Sequence, residues 1–260
     1  MMSVLRRNRY ILISAAAVLV LLGIWEICAR AVGVEIILPT FTSVCTAFGL
    51  LFTRAEFYIS VGFTLLRCLV GYVIGFGLGV LLGLLAGRTR AVAAALTPIV
   101  TVMRTVPVVA IALVLTIWIG SSVLPSVVGI MLVFPIIYGE IKTAAENVGK
   151  EYDDALADLG AGFWTSLRTV YLPMVLPHAL SGISTTFGMN IKAVISAEVL
   201  AYTVHSIGYQ IYFSKANFLE ETPTLFAWIM VAVLLSVIFE ALLRFSAKKI
   251  TSGISWLGVA

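Results

Sequence analysis

Apolar residues along this chain come in long blocks, separated by short polar segments. The blocks fall at about 10–30, 58–87, 92–119, 123–143, 173–200 and 223–246. Each is as long as a bilayer core requires of a helix, roughly 20 residues. The pattern predicts an all-α integral membrane protein with six transmembrane helices. Within the second block Gly71, Gly75, Gly79, Gly83 and Gly87 recur every fourth residue. That step returns close to the same helix face, so the ladder predicts a smooth groove for close packing of another helix. One polar segment stands apart. In "EYDDALADLGAGFWTSLRTVYLP", residues 151–173, four acids (Glu151, Asp153, Asp154, Asp158) crowd into eight positions. Wound as a helix, Tyr152, Ala155, Leu156 and Leu159 share one side, and Asp153, Asp154, Ala157 and Asp158 the other. Gly160 and Gly162 can turn the chain after it. Phe163, Trp164 and Leu167 add apolar surface, and Pro173 and Pro177 open the next block.

Charge orients these elements. With the N-terminus inside, Arg6, Arg7, Arg9, Arg88, Arg90, Lys142, Lys150, Arg168, Arg244, Lys248 and Lys249 all fall on the inner side, against Arg30, Arg54 and Lys215 outside. This fits the positive-inside rule and places both termini in the cytoplasm. The first block is too long for a signal-peptide core and reads as a retained helix. An outer segment at 34–57 reads as interfacial. The outer loop 201–222, with Tyr202, His205, Tyr209 and Tyr212, suits an aromatic belt at headgroup level. The acidic segment then faces the cytoplasm. Helices that lie on lipid usually carry Lys or Arg on the polar face, and an acidic face is repelled by an anionic leaflet. A protein partner with a basic-rimmed groove fits it better.

Composition narrows the function classes. The chain of 260 residues is 61% hydrophobic and 12% charged with net charge +4, and no basic run marks a nucleic-acid surface. Cys28, Cys45 and Cys68 lack metal or disulfide spacing. Two remote histidines, His178 and His205, provide neither a metal set nor a catalytic cluster, and no Walker A pattern is present. The sequence therefore predicts no catalytic residues, no metal and no cofactor in this chain. A central charge in a span costs about 2.5–3.5 kcal/mol by insertion scales. Glu26 and Glu240 lie near span ends, where they can pair or reach the interface. Arg67, deeper, is expected to pair with Glu198 or an outer-loop acid.

The cytoplasmic segment resembles the signature of permease subunits of binding-protein-dependent ABC importers: "EAA", three residues, Gly, nine residues, then "I-x-L-P". Asp154-Ala155-Leu156, Gly160 and Val170-Tyr171-Leu172-Pro173 occupy those places; Asp replaces the Glu and Leu156 the second Ala. Met103-Arg104-Thr105-Val106-Pro107 is similar to the family's "L-R-x-I-P", and Ser196-Ala197-Glu198-Val199-Leu200 to its "A-E-x-L". Phe226-Ala227-Trp228 looks like the nitrate, sulfonate and taurine branch, whose Gly-Leu-Gly is Ser206-Ile207-Gly208 here. The resemblance implies the type I (MetI-like) permease fold in the bacterial inner membrane. Residues 1–57 would form a first helix and outer segment, 58–246 the core, and 247–260 a cytoplasmic tail. It further implies a homodimer, two cytoplasmic ATPases that bind ATP and Mg, and an extracytoplasmic substrate-binding protein. The 151–166 segment would be the coupling helix seated in the ATPase. The third and fifth spans line the path in this family, which makes Met103, Arg104, Met189, Asn190, Lys192 and Glu198 path candidates. Arg104 and Lys192 together are expected to give one cavity a positive lining. The implied cargo is small and polar: nitrate, an alkanesulfonate, taurine or a pyrimidine-type vitamin precursor. The alternative is a self-contained secondary transporter, which needs ion-coordinating groups at midplane and paired broken helices.

Overall fold

The computed structural model describes residues 2–148, 152, 155, 156 and 158–254; the side chains of residues 2–11, 163, 176–178, 181, 184, 218, 220 and 247–254 are outside that description. The helices are α1 (Met2–Val32), α2 (Phe41–Leu51), α3 (Ala55–Arg88), α4 (Arg90–Thr105), α5 (Val108–Leu115) and α6 (Leu124–Glu146). They continue with α7 (Phe163–Ser166), α8 (Leu172–Leu200), α9 (Ile207–Ala216) and α10 (Phe218–Ile254). No strand occurs among the described residues. The chain forms two compact units, Met1–Tyr58 with Gln210–Val231, and Ile59–Tyr209 with Ala232–Ala260.

Within the first unit, α1 and α2 meet through Trp25, whose indole Nε1 donates to the Pro39 carbonyl at 3.1 Å. Its ring lies 5.6 Å from Phe41 and 5.9 Å from Phe226. Glu26 does not stay bare: it pairs with Arg30 at 2.7 Å and accepts from the Thr42 hydroxyl. The expected interfacial segment is the apolar helix α2, which Thr40 caps by accepting from the Ser43 N–H.

The second unit is organised around α6. The glycine ladder of α3 lies along it as the sequence predicts. A Cβ built at Gly71 falls 2.6 Å from the Ser126 carbonyl, at Gly79 2.8 Å from Ile137, and at Gly83 2.9 Å from Ile141. Gly77, on the other face, meets nothing within 4 Å. Backbone contact of this kind gains dispersion energy over the whole helix length. Asn190 of α8 closes the same seam, donating to the Cys68 carbonyl at 2.9 Å.

One expectation needs correction. The block at 92–119 is not one straight crossing. Pro107 supplies no N–H and pushes Val106 to extended backbone (φ −76°, ψ 128°), so α4 stops at Thr105 and α5 leaves at 95° to it. Four described helices are long and apolar enough to cross a membrane, or five if the bent pair counts as one; the sixth expected span, α8, has the length and carries Asn190, Lys192 and Glu198. Pro173 stands second in α8, at its opening as the sequence predicts. The chain is helical from Phe163 onward, and a π turn at Leu167–Tyr171, closed by the Leu172 N–H on the Leu167 carbonyl, absorbs the residues just before it.

Candidate functional site

The segment between α6 and α7 is the strongest sequence candidate. Tyr152, Ala155, Leu156 and Asp158 are helical. The Leu159 N–H bonds the Ala155 carbonyl, and the Ala161 N–H bonds the Leu156 carbonyl at 2.9 Å. Gly160 adopts φ +65°, the left-handed conformation that ends helices and that glycine enters freely. Asp153, Asp154 and the Phe163 side chain lie outside the described residues. Leu159 is 81% exposed, Trp164 66% and Tyr152 50%, while Leu156 is half-buried. Large apolar side chains thus stand uncovered in a short loop, the kind of patch that marks an interaction surface. Pro173 is half-buried in the helix that follows.

The path candidates separate into three environments. Arg104 lines an open cavity of about 800 Å³ between α4 and α6, with Thr97, Thr101, Tyr138, Glu140, Lys142 and Thr143 on its walls. Its Nη2 donates to the Pro135 carbonyl at 2.6 Å. The Thr97, Thr101 and Thr105 hydroxyls each donate to the carbonyl four residues back, a polar stripe already satisfied within its own helix. Lys142 pairs with Glu146 at 2.8 Å. Sequence reading missed this stripe, although its i, i+4, i+8 spacing was available. Met103 does not face the cavity; it packs on the cluster of Ala86, Val100, Phe134 and Tyr138.

Lys192 and Met189 line a different pocket of about 320 Å³ where α5, α6 and α8 meet. Among the described residues, Arg104 and Lys192 do not share one cavity. The two cations sit in separate hollows, because the bend at Pro107 carries α5 away from the α4 face that bears Arg104.

Asn190 and Glu198 are enclosed and line neither hollow. Asn190 Oδ1 is buried against Gly129 and has no hydrogen-bond partner among the described residues. Glu198 has no exposed surface and pairs with Arg67 at 3.1 Å, one of the two partnerships the sequence left open. Its carboxylate also accepts from the Thr64 hydroxyl and from the Gly208 N–H at the start of α9. Thr64 accepts from the Ile207 N–H, and Arg67 donates to the carbonyls of Ser122, Val204 and His205. Tyr202 and His205 take positive φ in this turn. The turn at 201–208 is thereby folded onto α3 and α8 through buried polar groups. Thr64, Ser206 and Gly208 could not be found by hydropathy.

The comparisons with known proteins agree with this arrangement. The formylaminopyrimidine transport permease protein ThiX of Halalkalibacterium halodurans is 26% identical over 228 residues, 87% of this chain and 89% of that one. The putative aliphatic sulfonates transport permease protein SsuC of Bacillus subtilis is 25% identical over 235 residues, 89% of this chain and 83% of that one. A chain of the inward-facing MetNI methionine ABC transporter superposes with a TM-score of 0.54 at 21% identity, covering 79% of this chain and 96% of that chain, which shows the fold. The profile of the family described as binding-protein-dependent transport system inner membrane component matches residues 79–252. The chain belongs to that family: it is an inner-membrane permease subunit of an ABC importer.

Proposed function

We propose that two copies of this chain, with two separate cytoplasmic ATPases and an extracytoplasmic binding protein, form an importer for a small polar solute. Residues 151–166 are its coupling helix. The observation that carries this reading is the exposed apolar set Tyr152, Leu159 and Trp164, held at a loop whose turn Gly160 sets. Exposed leucine and tryptophan in a short cytoplasmic loop suit a groove on a soluble partner, and the acids beside them suit a basic rim. ATP and Mg bind the partner, since the sequence carries no Walker A pattern. Closure of the ATPases displaces the coupling helices, and the rigid α3–α6–α8 seam passes that displacement to the membrane helices. The solute then meets alternating openings, as differential stability of two states demands. Both termini lie on the cytoplasmic side. ThiX and SsuC bear the names of a pyrimidine and of sulfonates, so a compact polar cargo fits this branch. The test is co-purification from the native membrane. Wild type is expected to carry an ATPase and to couple hydrolysis to uptake in proteoliposomes; Leu159→Asp with Trp164→Asp is expected to insert normally and lose the ATPase. Solute movement by the purified chain alone sinks the proposal in favour of a secondary transporter.

A further inference from the structure

Asn190 is fully enclosed, yet only half of its amide is used. Nδ2 donates to the Cys68 carbonyl of α3 at 2.9 Å, while Oδ1 accepts from no described residue. Turning the amide over does not help, because Oδ1 and the Cys68 carbonyl, both acceptors, would then face each other. Nor does water serve it, since no water-sized space adjoins Oδ1. The Gly129 backbone of α6 lies against it instead, and a Cβ built there falls 2.5 Å from Oδ1. A buried acceptor left in this way destabilises the state that contains it, and strain of this kind collects at switch regions.

The missing donor is close by. Ser126, buried on α6, is three residues from Gly129, about 4.5 Å along the axis. Its Oγ donates to the Arg67 carbonyl at 3.2 Å, long for a hydroxyl, whose bonds fall at roughly 2.5–3.0 Å. Arg67 and Cys68 are neighbours in α3, so Ser126 and Asn190 reach adjacent carbonyls of one helix. Gly129 faces Asn190 and Val194, and Glu140 faces Gly182. The helices α6 and α8 are therefore antiparallel, and Ser126 stands toward the C-terminal end of α8.

We propose that Asn190 is a two-position switch in the α3–α6–α8 seam. In the position seen here Nδ2 is clasped to α3 and Oδ1 rests on Gly129. In the second, α8 has moved along α6 by less than one turn, toward its own C-terminal end. The Ser126 hydroxyl has then left the Arg67 carbonyl for Oδ1. The Arg67 and Cys68 carbonyls keep their helix-ladder partners in both positions. Two discrete bonding patterns make the seam bistable rather than continuously deformable, and Gly129 offers no side chain to obstruct the move. The inference rests on the permease reading for its purpose, alternation between two openings.

Pulsed electron–electron resonance on the permease–ATPase complex in nanodiscs tests it. Val123→Cys and Thr185→Cys, both at exposed positions, carry spin labels after Cys28→Ser, Cys45→Ser and Cys68→Ala. Labelled copies are diluted with unlabelled ones, so that distances within one copy are read. The vector between the labels runs largely along α6 and α8, and a slide shows at nearly full size. Expected are two distances about 3–5 Å apart that exchange weight between nucleotide-free and ATP–vanadate samples. Ser126→Ala and Asn190→Leu should each move the population about tenfold toward the position seen here, the worth of one buried hydrogen bond. The double variant should move it no further than either single one, whereas sites without a shared bond add. A single distance in both nucleotide states overturns the proposal; so do two populations that neither variant moves, or additive shifts. Ser126→Ala removes one atom, so the test stands even where Asn190→Leu does not fold. One distance in an ATP-hydrolysing complex sinks the switch alone. Two distances that respond to the variants in a chain that binds no ATPase keep the switch and sink the permease assembly.

Discussion

Removing Arg67 is expected to be among the most damaging single changes outside the coupling segment. Glu198 is fully enclosed, and Arg67 is 9% exposed. Arg67→Met leaves a buried carboxylate with only the Thr64 hydroxyl and the Gly208 N–H, and strips donors from the Ser122, Val204 and His205 carbonyls. Breaking one side of a buried pair costs about 3–5 kcal/mol, whereas replacing both partners with apolar residues is often close to neutral. The lower figure is roughly a hundredfold in the folding equilibrium. The assay is reversible unfolding in mixed micelles followed by tryptophan fluorescence, run as a cycle of Arg67→Met, Glu198→Met and the double variant. Each single variant is expected to lose about 3–5 kcal/mol, and the double to lose less than their sum by at least about 2 kcal/mol. A loss under about 1 kcal/mol for Arg67→Met, the range of an exposed pair, refutes the reasoning. So does additivity within about 0.5 kcal/mol, the behaviour of uncoupled sites.

Gly79→Val places its Cβ 2.8 Å from Ile137 and should cost about 1–3 kcal/mol of stability by overpacking; Gly77→Val, which meets nothing within 4 Å, should be tolerated in the same unfolding assay. Thr64→Val keeps the shape but orphans the buried Ile207 N–H, with an expected loss of about 1–3 kcal/mol, seen as faster proteolysis at the turn before α9. Gly160→Val must hold φ near +65°, at about 1–2 kcal/mol for an L side chain. Its expected signature is ATP hydrolysis that continues while uptake falls, measured together in proteoliposomes.

Much of this architecture was readable before any coordinates. The four-residue spacing of Gly71 to Gly87 specified a helix face that only another backbone can fill, and α6 lies on it. The glycine at 160 announced a turn, because it permits a backbone conformation that other residues avoid; the break at Pro107 was not anticipated, since it lies inside a block read as one span. That Arg67 needs an acidic partner followed from the penalty on isolated charge in hydrocarbon; the structure chose Glu198 over an outer-loop acid. The tertiary structure alone decided the 95° bend, the enclosure of Asn190 and Glu198, and the separation of Arg104 from Lys192. Hydropathy cannot make those distinctions in a membrane chain. Lipid and a neighbouring helix are equally apolar, so the sequence pattern marks which residues avoid water and leaves open whether a lipid tail, another helix or a solute-bearing hollow receives each face.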